Sequence, residues 1–143
     1  MAPKRVLFVC VGNACRSQMA EAMARHHASD IIDPSSAGIS PLGTITDPTR
    51  QVLLERGIRM PGQKSKGTAE TDLAATELIV NLTGIHGPAL FRENAGIVVE
   101  DWEVTDPYGD DLGVYRRVCD EIEGRVLELA ARLRCEKQRS SKS

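Results

Sequence analysis

The chain has 143 residues, a formal charge of −2, 41% hydrophobic and 27% charged residues, a size and balance that suit one globular domain with its own core and exclude a collagen-like or largely disordered chain. No basic stripe of the kind nucleic acid requires is present, and the apolar run Val6 to Val11 is too short for a signal-peptide core or a membrane span, so the expectations are no nucleic acid, no membrane and a cytoplasmic location. The four cysteines, Cys10, Cys15, Cys119 and Cys135, form neither a CxxC pair nor a zinc-type cluster, so no metal or cofactor is expected and the thiols should be reduced.

Arg5 to Cys10 is an apolar, β-branched run that predicts a strand; Gly12-Asn13 breaks it, and Met19 and Met23, spaced for one helix face, predict a helix over Gln18 to His27. A second strand is expected around Ile31 to Ser36. A Gly/Pro-rich loop follows, then a helix from Pro48 to Arg56 with Asp47 as N-cap and Gly57 as C-cap. Leu78 to Leu82 and Ile97 to Glu100 are the remaining strand candidates. The last helix has the clearest period, with Tyr115, Val118, Cys119, Ile122, Val126, Leu129, Ala130 and Leu133 at three- and four-residue steps. Alternating strands and helices imply right-handed βαβ units and an α/β fold, a parallel sheet with helices on both faces. One domain over 1–136 and a polar, disordered tail over 137–143 complete the reading.

The chemistry concentrates in Cys10-Val11-Gly12-Asn13-Ala14-Cys15-Arg16-Ser17. A thiol ends a strand, an arginine follows six positions later, and a hydroxyl opens a helix. Backbone N–H groups between Cys10 and Arg16 can form an anion-binding nest, to which the helix start adds unsatisfied donors and the positive end of its dipole. Gly12 and Asn13 are residue types that tolerate the left-handed backbone of a nest. The same field favours thiolate at Cys10, the reactive form. Arg16 offers a planar fork for two phosphate oxygens, and Ser17 can donate to the sulfur.

Cys-x5-Arg-Ser near the N-terminus, continued by Gln18-Met19-Ala20-Glu21, with Ser36-Ala37-Gly38 downstream and Asp106-Pro107 before the last helix, resembles the low-molecular-weight tyrosine phosphatase and arsenate reductase superfamily over nearly the whole chain. The resemblance implies a phosphotyrosine phosphatase I-like, four-stranded parallel sheet of order 2-1-3-4. It also implies Cys10 as nucleophile, Arg16 as phosphate clamp, and Asn13, Ser17 and Ser36 as the hydrogen-bond network that fixes the loop. A thiolate attacking phosphorus needs an acid opposite it to protonate the leaving oxygen. Three Asp-Pro pairs are present; Asp47 reads as a helix cap and Asp33 as a turn. Asp106 is the candidate because Asp-Pro-Tyr-Gly resembles the acid loop of the family, with Tyr108 lining the substrate cleft and Trp102 packing beside it.

Two activities share such a loop, since arsenate is tetrahedral and anionic like phosphate. Gln18 resembles the reductase branch, whose thioredoxin-coupled route uses a cysteine pair just after the third strand. That stretch reads Asn81-Leu82-Thr83-Gly84-Ile85-His86, and no cysteine lies between Cys15 and Cys119. Cys119 belongs to the apolar stripe, and Cys15 is either packing or a redox partner of Cys10. Val114-Tyr115 and the Tyr-Gly after Pro107 resemble bacterial enzymes that dephosphorylate tyrosine or arginine in proteins, whereas Ala14 departs from every branch. The expected function is hydrolysis of phosphotyrosine-type protein substrates through a phosphocysteine, with phosphate as product or inhibitor. The alternatives are arsenate reduction with an external small thiol, arginine dephosphorylation, or a silent phosphate-binding module.

Overall fold

A computed structural model describes residues 2–91 and 96–142. Its elements are β1 (Lys4–Cys10), α1 (Arg16–Ala28), β2 (Ile32–Gly38), α2 (Asp47–Glu55), β3 (Leu78–Asn81), α3 (Gly87–Leu90), β4 (Val98–Asp101) and α4 (Leu112–Lys142), with single 3-10 turns at Thr68–Glu70 and Leu73–Ala75. All strand pairs are parallel, in the order β2-β1-β3-β4. This is the expected topology, and it brings the carboxyl ends of β1, β3 and β4 to one edge of the molecule, where α/β folds place their ligands.

Alternation along β1 divides the core. Val6, Phe8 and Cys10 face a cluster built from Met19 and Met23 of α1, Val52 and Leu53 of α2 and the stripe of α4. Leu7 and Val9 face the other side, with Ala37, Ile79 and Phe91. This is the period-two rule of a pleated strand. Both faces are covered, but unequally: the three long helices contribute to the first cluster, while short α3 and the turn residue Leu73 contribute to the second. Every residue of the predicted α4 stripe is buried. Trp102 packs on Phe8, ring centroids 5.9 Å apart, rather than beside Tyr108, because β4 ends next to the sheet core.

Four local expectations change, Gly57 as the C-cap of α2 among them. The N-cap of α2 is Thr46, extended at φ −67° and ψ 147°, and Asp47 is the first helical residue; the acidic side chain there still complements the helix dipole. Gly57 adopts φ 72° after the C-cap residue Arg56, and Ile58 and Gly57 donate to the carbonyls of Leu53 and Leu54, the paired bonds of a Schellman stop. Asp33-Pro34 is not a turn but lies inside β2, which a proline can enter because β2 is an edge strand. The polar tail is helical rather than disordered as far as Lys142: Glu136, Lys137, Gln138 and Arg139 are good helix formers that prolong an already nucleated helix beyond its last buried residue, Leu133.

Among the described residues, no helix is long and apolar enough to cross a membrane, and no group of three or more His, Cys, Asp or Glu side chains is arranged to hold a metal ion.

Cys119 is fully buried, and burial pushes its thiol up from 9.0 to about 11. A raised thiol value favours the neutral native form, so this contribution is complete below pH 9 and is lost as pH rises through about 11. Tyr115, pushed up to about 12 mainly by burial, acts in the same direction at higher pH. Urea midpoints measured across this range should fall for wild type. They should fall less steeply for Cys119→Ala, which starts lower because of the cavity it opens; equal slopes would show that Cys119 does not titrate in the transition.

Candidate active site

The loop between β1 and α1 curves because donors from elsewhere hold its carbonyls outward. Cys10 O accepts from Ile39 N at 3.1 Å, Val11 O from Ser40 N at 2.9 Å, Gly12 O from Leu42 N at 2.9 Å, and Ala14 O from Thr46 N at 3.3 Å. Asn13 O accepts from Gln18 Nε2 at 3.0 Å. Side chains reinforce two of these carbonyls, Ser65 Oγ on Gly12 O at 3.1 Å and Thr49 Oγ1 on Ala14 O at 3.0 Å. A backbone whose carbonyls turn outward presents its N–H groups to the inside, which makes an anion nest. Asn13, at φ 50°, is the one non-glycine residue with positive φ among those described, and it places the reversal where the sequence allows it.

Gly38 closes the loop from behind. A Cβ at that position would stand 2.7 Å from Val11 O and 2.8 Å from Asn13 N, so only glycine permits the approach.

Cys10 Sγ lies 2.9 Å from Ser17 Oγ, and Asn13 Nδ2 donates to the same Ser17 oxygen at 2.8 Å. With its oxygen already accepting, the single Ser17 proton is available to the sulfur, as a thiolate requires. Arg16 is buried, its Nη1 donating to Leu82 O at 2.5 Å and to Val104 O at 3.2 Å. Those carbonyls lie just beyond β3 and β4, so the sheet edge itself aims the guanidinium. Arg16 Nη2 lies 3.5 Å from Asp106 Oδ2, a carboxylate with 49% of its side chain exposed. The other Asp106 oxygen accepts from Tyr108 N at 3.1 Å, an Asx turn that fixes the loop carrying this carboxylate.

Cys10, Gly12, Ala14, Arg16, Asp106 and Tyr108 line one pocket of about 170 Å³. Val11, Leu42 and Tyr108 are exposed apolar or aromatic side chains of the same pocket. The arrangement offers a nucleophile, an anion cradle and a half-exposed carboxyl group around a single cavity.

The sequence matches the family described as low molecular weight phosphotyrosine protein phosphatase over residues 5–139. The chain belongs to this family. A glutaredoxin arsenate reductase of Synechocystis sp. is 32% identical over 133 residues, covering 91% of this chain and 98% of that protein. A protein-arginine-phosphatase of Bacillus subtilis is 30% identical over 144 residues, covering 90% and 96%. Among solved structures, the YwlE arginine phosphatase from Geobacillus stearothermophilus has a TM-score of 0.85 at 28% identity, covering 96% of this chain and 97% of that one. An arsenate reductase in the phosphate binding state has a TM-score of 0.80 at 30% identity, covering 91% and 98%.

Within this phosphatase-family site, Ser36 differs from its expected place. It is buried, but its hydroxyl donates to Glu21 Oε1 at 2.5 Å instead of joining Asn13 and Ser17. Cys15 is buried too, its sulfur 3.5 Å from both Thr46 Oγ1 and Tyr115 OH. Sequence reasoning missed Gln18 and Lys66 as partners of the loop: Asn13 Oδ1 accepts from Gln18 Nε2 at 3.0 Å and Lys66 N at 2.8 Å. Gln18 is fully buried, and a buried amide must find partners, but that burial comes from distant packing that the sequence does not announce.

Gly38→Ala should leave the sheet intact but push the loop off its geometry. Affinity for inorganic phosphate, measured by calorimetry, is expected to fall at least about tenfold; unchanged affinity with a folded protein would mean that the loop can shift to absorb the methyl group.

Proposed function

We propose that this protein is a phosphomonoester hydrolase acting on aryl phosphates of the phosphotyrosine type in proteins, through a phosphocysteine at Cys10. The observation that carries the reading is the convergence of Cys10, the anchored Arg16 and the half-exposed Asp106 on one pocket. The loop N–H groups and the Arg16 fork hold the phosphoryl oxygens. The Cys10 thiolate forms the S–P bond in line as the P–O bond to the alcohol breaks, and Asp106, protonated at this stage, delivers its proton to the departing oxygen. Asp106 then takes a proton from water as that water attacks phosphorus, the S–P bond breaks, and phosphate and thiolate are regenerated. Tyr108, 58% exposed on the pocket wall, supplies a face for an aryl group.

Reduction of arsenate is the second reading, supported by the reductase relatives and by Gln18. It needs a thiol to take over from Cys10, and the chain offers poor ones. Cys15 lines the pocket with Cys10, its sulfur against Thr46 and Tyr115; Cys119 lies in the core, Cys135 is exposed on the far part of α4, and the segment after β3 has none. The reading therefore uses an external small thiol unless Cys15 takes over from Cys10.

Parallel assays separate the readings: p-nitrophenyl phosphate and phosphotyrosine or phosphoarginine peptides on one side, arsenate with thioredoxin or glutathione on the other. Hydrolysis of the aryl substrates is expected; arsenate turnover without hydrolysis would replace the proposal, and phosphate binding with neither would identify a silent module. Cys10→Ser should abolish hydrolysis while keeping phosphate binding, and Arg16→Lys should fail as well. Asp106→Asn should cost on the order of a hundredfold with poor leaving groups and less with p-nitrophenyl phosphate; equal losses for both would make Asp106 structural.

A further inference from the structure

The bonds that end at Cys10 begin at the far side of α1. Arg25 Nη1 donates to Gln63 Oε1 at 2.8 Å, Gln63 Nε2 to Gln18 Oε1 at 2.8 Å, Gln18 Nε2 to Asn13 Oδ1 at 3.0 Å, and Asn13 Nδ2 to Ser17 Oγ at 2.8 Å. Ser17 and Cys10 close the series. Every amide is pinned by a partner with one possible role. A guanidinium only donates, so Gln63 must turn its oxygen to Arg25. The carbonyls of Asn13 and Lys64 only accept, so Gln18 must turn its nitrogen toward them. The Lys66 N–H only donates, so Asn13 must turn its oxygen to it. All five donors therefore point the same way, from a cation to a sulfur.

We propose that Arg25, Gln63 and Gln18 are positioning residues for Cys10: they form a one-directional hydrogen-bond relay that holds the Ser17 hydroxyl as a donor to the sulfur and so raises the rate at which Cys10 reacts. Hydrogen bonds in series polarise one another, and burial strengthens the effect. Gln18, Asn13 and Ser17 are fully buried. The head of the relay is held in turn by Glu21, which accepts from Arg25 Nη2 at 2.7 Å and from Ser36. Ser36 thus acts on the loop at a distance, through α1. The other titratable and charged groups around Cys10 are Arg16, Asp106, Cys15 and Tyr108 in the pocket, with Tyr115 behind Cys15; none belongs to the relay, and none is altered by the variants that test it.

The proposal rests on Cys10 being the nucleophile, but its test does not require turnover. Gln63→Glu keeps the acceptor for Arg25 and places a second carboxylate oxygen against Gln18 Oε1, so the relay can no longer run in one direction. The readout is the rate at which iodoacetamide alkylates Cys10 near pH 6, followed by fragment-ion mass spectrometry that separates Cys10 from Cys15 and Cys135, with phosphate binding measured alongside. The expected result is a slowing of about three- to tenfold in Gln63→Glu, and no further slowing when the same change is made in a Ser17→Ala background, where the relay is already cut. Gln63→Leu, which removes the donor without adding charge, should give a smaller slowing with the same dependence on Ser17, and it carries the test if Gln63→Glu does not fold. Equal slowing in both backgrounds would show a charge acting through space, and no slowing in either would show an inert bond series; each result overturns the relay. Normal alkylation behaviour with no hydrolysis of any phosphate ester would instead leave the relay standing and remove the phosphatase reading.

Discussion

The outward tethering of five successive carbonyls, Cys10 through Ala14, is the constraint on which the site depends. Each tether removes an acceptor from the inside of the loop, and together they leave a concave row of donors that costs nothing to reorganise when an anion arrives. The donors come from the segment after β2, from the start of α2 and from Gln18. The nest is therefore a tertiary structure, not a local turn. Asn13 supplies the left-handed residue at a modest conformational cost, offset by a side chain that accepts twice and donates once.

The sheet order explains why chemistry gathers at that edge. With β1 next to β3, and β3 next to β4, the backbone after β3 and β4 can reach Arg16 through Leu82 O and Val104 O. The same chain exit carries Asp106 and Tyr108 to the pocket. Arg16 is thus the joint between loop and sheet, and it also lines the pocket. Its position is set by groups that would be in place before any substrate binds.

Legibility tracks the range of the interactions. The loop can be read because its cues are adjacent in sequence: a strand-ending thiol, Gly12-Asn13, and an arginine at a helix start. The α4 stripe can be read because burial imposes a period on one continuous element. The features that escape a reading of the sequence depend on distant partners. Gln63 meets Gln18 across 45 positions and Lys66 meets Asn13 across 53, and no local pattern announces such pairs. Thr46 displaces Asp47 as the cap of α2 because its extended backbone, tied to Ala14 O, fixes where the helix begins. The tail departs from expectation because polarity alone suggests disorder, although its residues are strong helix formers on the end of a long helix.

Phosphoester hydrolysis as proposed and arsenate reduction would share a first covalent event at Cys10 and diverge at the second. In this chain Asp106 lies half-exposed beside Arg16 at the pocket, while Cys15 lines the same pocket, Cys119 is in the core and Cys135 is exposed on α4. The most direct measurement is a rapid acid quench of p-nitrophenyl phosphate turnover, with mass spectrometry of the peptide that contains Cys10. Hydrolysis through this site predicts phosphate covalently bound to Cys10 during turnover, accumulating further in Asp106→Asn as attack by water slows. Turnover that proceeds with Cys10 never phosphorylated, in wild type or in that variant, would contradict the account.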